Sequence, residues 1–265
     1  MTEPRRITLL TDFGARDSYV GELKGVIASR APAAMIDDVA HELPPGDLQA
    51  AAWTLRGYWR TYPEHTVHVV VVDPGVGGER RAIAARLDGR FIVAPDNGVI
   101  TLALAAAVST DIVEIRNPEI LPAVRSATFH GRDLFVPAAA ALATGAALEA
   151  LGPRLDDPVT IVWPQPSRAG RRVDGEAVHV DGFGSLISNI PADWCPAGGI
   201  VRVDDRLIGP IRTTYADALV GDLVAVIGSA ETLEVAVRDG SAARELDAAR
   251  GARIRVEPAE VRADE

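Results

Sequence analysis

The chain is predicted to be an α/β protein with two parts. Residues 1–160 should form a mostly parallel sheet with flanking helices, and residues 170–265 a smaller β-barrel. Three observations support this. Apolar, β-branched runs alternate with amphipathic helical stretches in the first part. A proline- and glycine-bearing stretch, Asp156 to Arg172, then interrupts the pattern. Beyond Val173 short strands follow one another at close spacing.

Residues 7–11 (ITLLT) read as a strand ending at Asp12-Phe13-Gly14. Ser18 then precedes Val20, Leu23, Val26 and Ile27, which share one helical face. Ala34 to Val39 is a second strand. A helix follows Pro44-Pro45-Gly46-Asp47, with Asp47 as N-cap and Leu48, Ala51, Ala52, Leu55 and Trp59 as its buried stripe. Val67 to Val72 (VHVVVV) is β-branched at five of six positions and stops at Asp73-Pro74-Gly75, as expected of a strand buried on both faces, so it belongs at the sheet centre. Asp88-Gly89 is a hairpin signal, because both positions tolerate positive φ. Ile112 to Ile115 is a further strand, and Asp133 to Ala147 a helix. In the second part the strands are EAVHVD, SLISNI, GIVRVD, LVAVIG, TLEVAV and ARIRVE, with a helical stretch near Ser241 to Ala249.

Of the 265 residues, 48% are hydrophobic, enough for a sizeable core. The 27 basic against 37 acidic residues leave a net charge of −10, which repels a phosphate backbone, so no nucleic-acid partner is expected. No apolar run approaches the roughly 20 residues needed to cross a bilayer, and the amino terminus has no apolar leader core. A cytoplasmic protein with no membrane partner is the expectation. The single cysteine, Cys195, excludes an internal disulfide, and five scattered histidines leave no zinc constellation, so no metal is expected.

Chemistry-bearing residues gather at strand ends. Asp12 and Asp17 flank the loop after the first strand, Asp73 and Arg80 bracket the turn DPGVGGER, Asn97 lies in PDNG, and His130 in TFHGRD. The carboxyl ends of parallel strands share one sheet edge, where Asp12, Asp73 and His130 can converge. Asp-Pro-Gly by itself is also an ordinary turn. The glycine-rich turn lacks the Gly-Lys-Ser/Thr of a nucleoside-triphosphate site. His41, His65, His68 and His179 read as structural residues without partners.

In combination these segments say more. TDFG with Asp17 and Ser18, HELPPGD, VVVDPGVGGERR, VAPDNGVIT, TFHGRD, DGFGSLISNI and GSAETLEVAV occur in an order that resembles the S-adenosyl-L-methionine (SAM) hydroxide adenosyltransferases. These are adenosine-forming SAM hydrolases related to the SAM-dependent fluorinase and chlorinase. The resemblance runs from about Ile7 to Ala243.

It implies SAM as substrate with no cofactor, and a homotrimer whose active sites form between one subunit's first domain and its neighbour's second. It further implies that Asp73, Arg80 and His130 hold the attacking water. Asp12 would bind the ribose hydroxyls, and Asp17, Ser18, Asp181 and Ser229 the methionine ammonium and carboxylate. Phe183 and Tyr215 would stack on adenine, and Gly131 would keep the water pocket small. Ser185 stands where the family usually has Asn at the adenine edge, and Glu231-Thr232 replaces a Gly-aromatic pair. The halogenating relatives carry an aromatic residue in place of Asp73 and lack the matching His, which favours water as nucleophile. Three other readings compete: a SAM-dependent halogenase, a metal-dependent nucleoside hydrolase, from the loose echo of an Asp-rich calcium loop in TDFGARD, and a non-catalytic SAM or adenosine sensor.

Overall fold

The computed structural model describes residues 5–121 and 126–259. The stretch read for a leader begins in residues 1–4, outside the described residues. The chain divides into two compact units, Met1–Ile161 and Val162–Glu265.

The first unit is built on a six-stranded sheet: β1 (Arg6–Thr11), β2 (Met35–Ala40), β3 (Val67–Val71), β4 (Ala82–Leu87), β5 (Arg90–Pro95) and β6 (Thr110–Glu114). Their spatial order is β2-β1-β3-β5-β4-β6. The first four in that order run parallel, and β4 is antiparallel to both its neighbours. Every residue of β3 is buried, His68 among its valines included, as expected of a central strand in a parallel sheet.

Successive strand residues face opposite ways, which divides the core in two. Leu9 and Val69 face a layer containing α1 (Tyr19–Arg30) and α4 (Val136–Ala143). Leu10 and Val70 face α2 (Leu48–Tyr58) and α3 (Thr101–Ala106). The Asp47 carboxylate caps α2 by accepting the Ala50 N–H at 3.0 Å. Asp88 and Gly89 join β4 to β5 with φ of 45° and 79°, the two-residue turn expected from their composition.

Two features of this unit differ from expectation. α3 carries no separate sequence signal, being six residues of mostly small apolar character. The helix expected over Asp133–Ala147 is α-helical only from Val136 to Ala143, because residues Gly131–Phe135 form a π-helical turn in front of it.

The second unit contains β7 (Ser167–Ala169), β8 (Arg172–Val180), β9 (Leu186–Pro191), β10 (Ile200–Val203), β11 (Arg206–Arg212), β12 (Leu223–Ile227), β13 (Thr232–Val237) and β14 (Arg253–Glu257). The order β14-β10-β11-β12-β13-β9-β8 closes on itself through β14–β8 pairing, giving a seven-stranded barrel with β7 appended to β8. Val173, Leu186, Val201, Leu233, Val235, Ile254 and Val256 fill it.

The sequence pattern misses β11 because Gly209-Pro210 interrupts it. The strand accommodates the pair beside an irregularity in β10 between Val201 and Arg202. The stretch near Ser241 to Ala249 holds only a single helical turn, α5 (Ala242–Glu245), capped by the Ser241 hydroxyl.

Candidate active site

The chain passes from β1 through α1 to β2 on one side, then through α2 to β3 on the other side of β1. That reversal is the switch point at which a parallel sheet opens a crevice. Thr11 and Val71 are paired at the ends of β1 and β3, so Asp12, one residue beyond, and Asp73, two residues beyond, emerge at the same edge of the sheet. Both line a cavity of about 730 Å³, together with His130 and Gly131.

Arg80 reaches Asp73 because the intervening loop folds back on itself. The Val76 N–H donates to the Asp73 carbonyl at 3.2 Å and Gly78 N–H to the Gly75 carbonyl at 3.0 Å. Gly77 has φ +78°, and a Cβ there would lie 2.7 Å from the Ala127 carbonyl, so this position needs glycine. Arg80 Nε donates to both Asp73 oxygens at 3.0 Å, and Nη2 donates to Oδ2 at 2.5 Å. The same Nη2 lies 2.7 Å from His130 Nδ1. The Asp73 and Arg80 side chains are only 5% and 11% exposed, so each charge depends on the other for compensation.

His130 leads into the π-helical turn, an irregularity that often marks functional positions. Burial, then the Arg80 charge, push its pKa below the ordinary histidine value, while Asp73 and Asp133 oppose them. Gly131 is buried, and a Cβ on it would stand 3.3 Å from both Phe13 and Phe129 and 3.4 Å from Leu23. A larger residue at that position would have to displace those rings.

Asp12 Oδ2 accepts the Gly46 N–H at 2.7 Å, which ties the β1 loop to the loop before α2. Asp17 and Ser18 are exposed and do not line the cavity. Ser18 donates to Glu22 at 2.9 Å, and Glu22, at the cavity, also accepts from Arg132 at 2.9 Å. Asn97 has a structural role, donating to the Val72 carbonyl and accepting the Val99 N–H.

Sequence reasoning missed an aromatic wall of this cavity. Phe13, Tyr19 and Phe129 meet edge to face, with centroids 5.4–6.1 Å apart. The signal was present: these rings immediately follow Asp12, follow Ser18 and precede His130.

The remaining expected residues lie in the barrel unit. Asp181 Oδ1 accepts the Phe183 and Ser185 N–H groups at 3.0 and 2.8 Å, closing the turn between β8 and β9. Phe183 is 84% exposed at its tip, whereas Ser185 is buried. The Tyr215 hydroxyl donates to Glu234 Oε1 at 2.7 Å. Glu234, on β13, was not anticipated, because a carboxylate in a strand reads as solvent-facing; here it is buried.

Burial, with Asp181 nearby, raises the Glu234 pKa, and Tyr215 and Ser185 are its hydrogen-bonding neighbours. Tyr215 is pushed up to about 12 by burial and by Glu234. Gly228 makes room for the carboxyl, since a Cβ there would come 2.3 Å from Oε2. Ser229, the next residue, is exposed.

The expectation that the other histidines lack partners is corrected. His41 bridges Thr11 at 2.8 Å and Asp38 at 3.0 Å. His68 is fully buried against Tyr58 and Tyr62, with Nδ1 2.9 Å from the Thr8 hydroxyl. His179 is also partnered. Among the described residues no group of three or more His, Cys, Asp or Glu is placed to hold a metal ion.

An α/β unit with a polar cavity at its switch point, followed in the chain by a closed barrel, defines the class. Family models described as the SAM hydroxide adenosyltransferase N-terminal and C-terminal domains match residues 7–152 and 175–255. The chain belongs to the SAM hydroxide adenosyltransferase family. A protein from Thermus thermophilus named (R)-S-adenosyl-L-methionine hydrolase is 41% identical over 260 residues, covering 95% of this chain and 99% of the relative. A crystal structure of a conserved protein from Thermotoga maritima superposes with a TM-score of 0.90 at 35% identity, covering 95% of this chain and all of that one. A fluorinase from Actinoplanes sp. is more distant, 28% identical over 87% of this chain and 90% of its own length.

Proposed function

We propose that the protein is an enzyme that hydrolyses SAM to adenosine and L-methionine through attack of water on ribose C5′. One observation carries this reading. In a chain so similar to a named SAM hydrolase, a single guanidinium, Arg80, joins a carboxylate and an imidazole that both line the cavity.

Methionine leaves a sulfonium as a neutral thioether, so its departure needs no acid. The difficulty lies with the nucleophile, because water must be aligned behind C5′ and relieved of a proton. Asp73, Arg80 and His130 supply polar groups for both tasks, and positioning adds an entropic contribution. Asp12 would grip the ribose hydroxyls. Asp17, Ser18, Asp181 and Ser229 would hold the amino-acid end, a pairing of carboxylates with an ammonium and hydroxyls with a carboxylate. Phe183 and Tyr215 would stack on adenine, with Ser185 at its edge and Gly131 limiting the water pocket.

The same proposal includes a homotrimer in which the barrel unit of a neighbouring subunit completes each site. The exposed Phe183, Leu219 and Val220 of that unit, at 84%, 75% and 66% exposure, are the kind of surface that association covers. A cytoplasmic setting is also proposed, in keeping with an unpaired Cys195.

The test is direct. Purified protein incubated with SAM should release adenosine and methionine in equal amounts by chromatography, and the Asp73→Ala variant should not. Binding without products would leave a sensor. Loss of activity in EDTA, restored by calcium, would favour the metal-dependent class.

A further inference from the structure

We propose that His130 serves the reacting water as a hydrogen-bond donor through Nε2–H, and that Asp73 takes the water's proton. This assignment rests on the reading of the cavity as the place where water attacks SAM.

A guanidinium carries five N–H donors and no acceptor. Arg80 Nη2 and His130 Nδ1 are 2.7 Å apart, so Nδ1 must contribute a lone pair to the contact. An imidazole with a lone pair on Nδ1 is neutral and carries its proton on Nε2. To act as a base through Nε2, the ring would need the other tautomer, whose Nδ1–H would oppose Nη2–H and break the contact. Imidazolium would do the same. The charges facing His130 are Arg80, Asp73 and Asp133; burial and Arg80 favour the neutral ring over the opposing carboxylates. His130 lines the cavity, and with Nδ1 committed to Arg80 the Nε2–H is the one polar ring group left for a bound molecule.

The proton must then go elsewhere. Asp73 Oδ2 accepts from both Arg80 Nε and Nη2, whereas Oδ1 accepts only from Nε, at 3.0 Å. One Oδ1 lone pair therefore stays uncommitted on a residue that lines the cavity. In the step, the water oxygen forms its bond to C5′ while one of its protons passes to Oδ1. The C5′–S bond breaks with its electron pair going to sulfur. The products are adenosine with its 5′-hydroxyl, neutral methionine thioether and a protonated Asp73, which later releases the proton to solvent. The sulfonium charge and the carboxylate charge disappear together. Arg80 holds both partners: it orients the carboxylate and fixes the tautomer of the ring.

Two measurements test this on the full-length protein. In ¹⁵N-histidine-labelled wild type, with His130 assigned by comparison with His130→Gln, NMR at neutral pH should show a neutral ring protonated on Nε2. A ring protonated on Nδ1 would overturn the assignment, whether or not SAM is hydrolysed. His130→Gln places an amide donor near the Nε2 position with no basic nitrogen. It should turn over SAM roughly tenfold or more faster than His130→Ala, with SAM affinity by calorimetry close to wild type in both. A folded, SAM-binding Gln variant no more active than Ala would show that basicity is required and that the donor role is wrong. No turnover by wild type would remove the reading of function and the donor role with it, leaving the tautomer to be judged by NMR alone.

Discussion

Asp73 in the α/β unit shares both carboxylate oxygens with Arg80, whereas Glu234 in the barrel unit is 6% exposed and meets a phenol and a hydroxyl instead of a cation. The difference in partner separates two uses of a carboxyl group. A guanidinium makes an ionised carboxylate tolerable in a half-closed cavity, where it can exchange a proton with a substrate. Without a cation, burial raises the pKa, and the group serves to orient its neighbours, here the Tyr215 ring.

The largest expected effect follows from placing chemistry in the first of these regions. Asp73→Asn should lower single-turnover rates by on the order of 10² to 10⁴, while calorimetric SAM affinity changes little. Should Asp73→Asn abolish binding while the bound fraction reacts at the wild-type rate, Asp73 belongs with the orienting groups and the contrast collapses. The same carboxylate should exclude halide. At 4 Å and an effective dielectric of 20, the like charge opposes it by about 4 kcal/mol. Chloride or fluoride at molar concentration should therefore yield no major 5′-halo product by mass spectrometry.

Equimolar mixing of Asp73→Ala and Asp181→Ala subunits sharpens the division of labour between the units. Each variant alone should be inactive. After exchange in a trimer with shared sites, about one site in four recombines two intact halves. Full activity from a stable monomer would contradict the shared-site arrangement.

A structural histidine provides a contrast inside the first unit. Burial lowers the His68 pKa to about 3, below its unfolded value near 6.5, so the unfolded chain binds the proton more readily. Its stabilising contribution is present above about pH 6.5 and is lost as the pH falls towards 3, at about 1.4 kcal/mol per unit. Urea unfolding between pH 7 and 5 should show a shallower loss in His68→Asn than in wild type; equal slopes would count against this. Smallest of all, Glu234→Gln keeps an acceptor for Tyr215 and should raise KM only about fivefold, a change near 1 kcal/mol, with kcat unchanged. A fall in kcat alone would move Glu234 into the chemistry.

Much of the α/β unit was legible in the sequence because its signals are local. VHVVVV marks a strand buried on both faces, Asp88-Gly89 a tight turn, and Asp47 a cap. Asp12 and Asp73 were legible as candidates because polar residues at strand ends share an edge in a parallel sheet. His130 sits instead at the start of the π-helical turn, away from any strand end, and was legible only through the TFHGRD segment. What could not be read depends on tertiary placement. β11 hides behind Gly209-Pro210, the π-helical turn at Gly131–Phe135 has no periodicity to betray it, and Glu234 is covered by residues distant in sequence. The direction of the Arg80–His130 hydrogen bond is likewise invisible until the two side chains are in contact.

Water held by the Asp73–Arg80–His130 cluster is proposed to attack C5′ of SAM. Turnover in ¹⁸O-labelled water followed by mass spectrometry of the adenosine tests it most directly. One ¹⁸O atom in the 5′-hydroxyl, absent when the reaction is run in unlabelled water, is the result expected. Adenosine without the label, or label in the methionine, would contradict it.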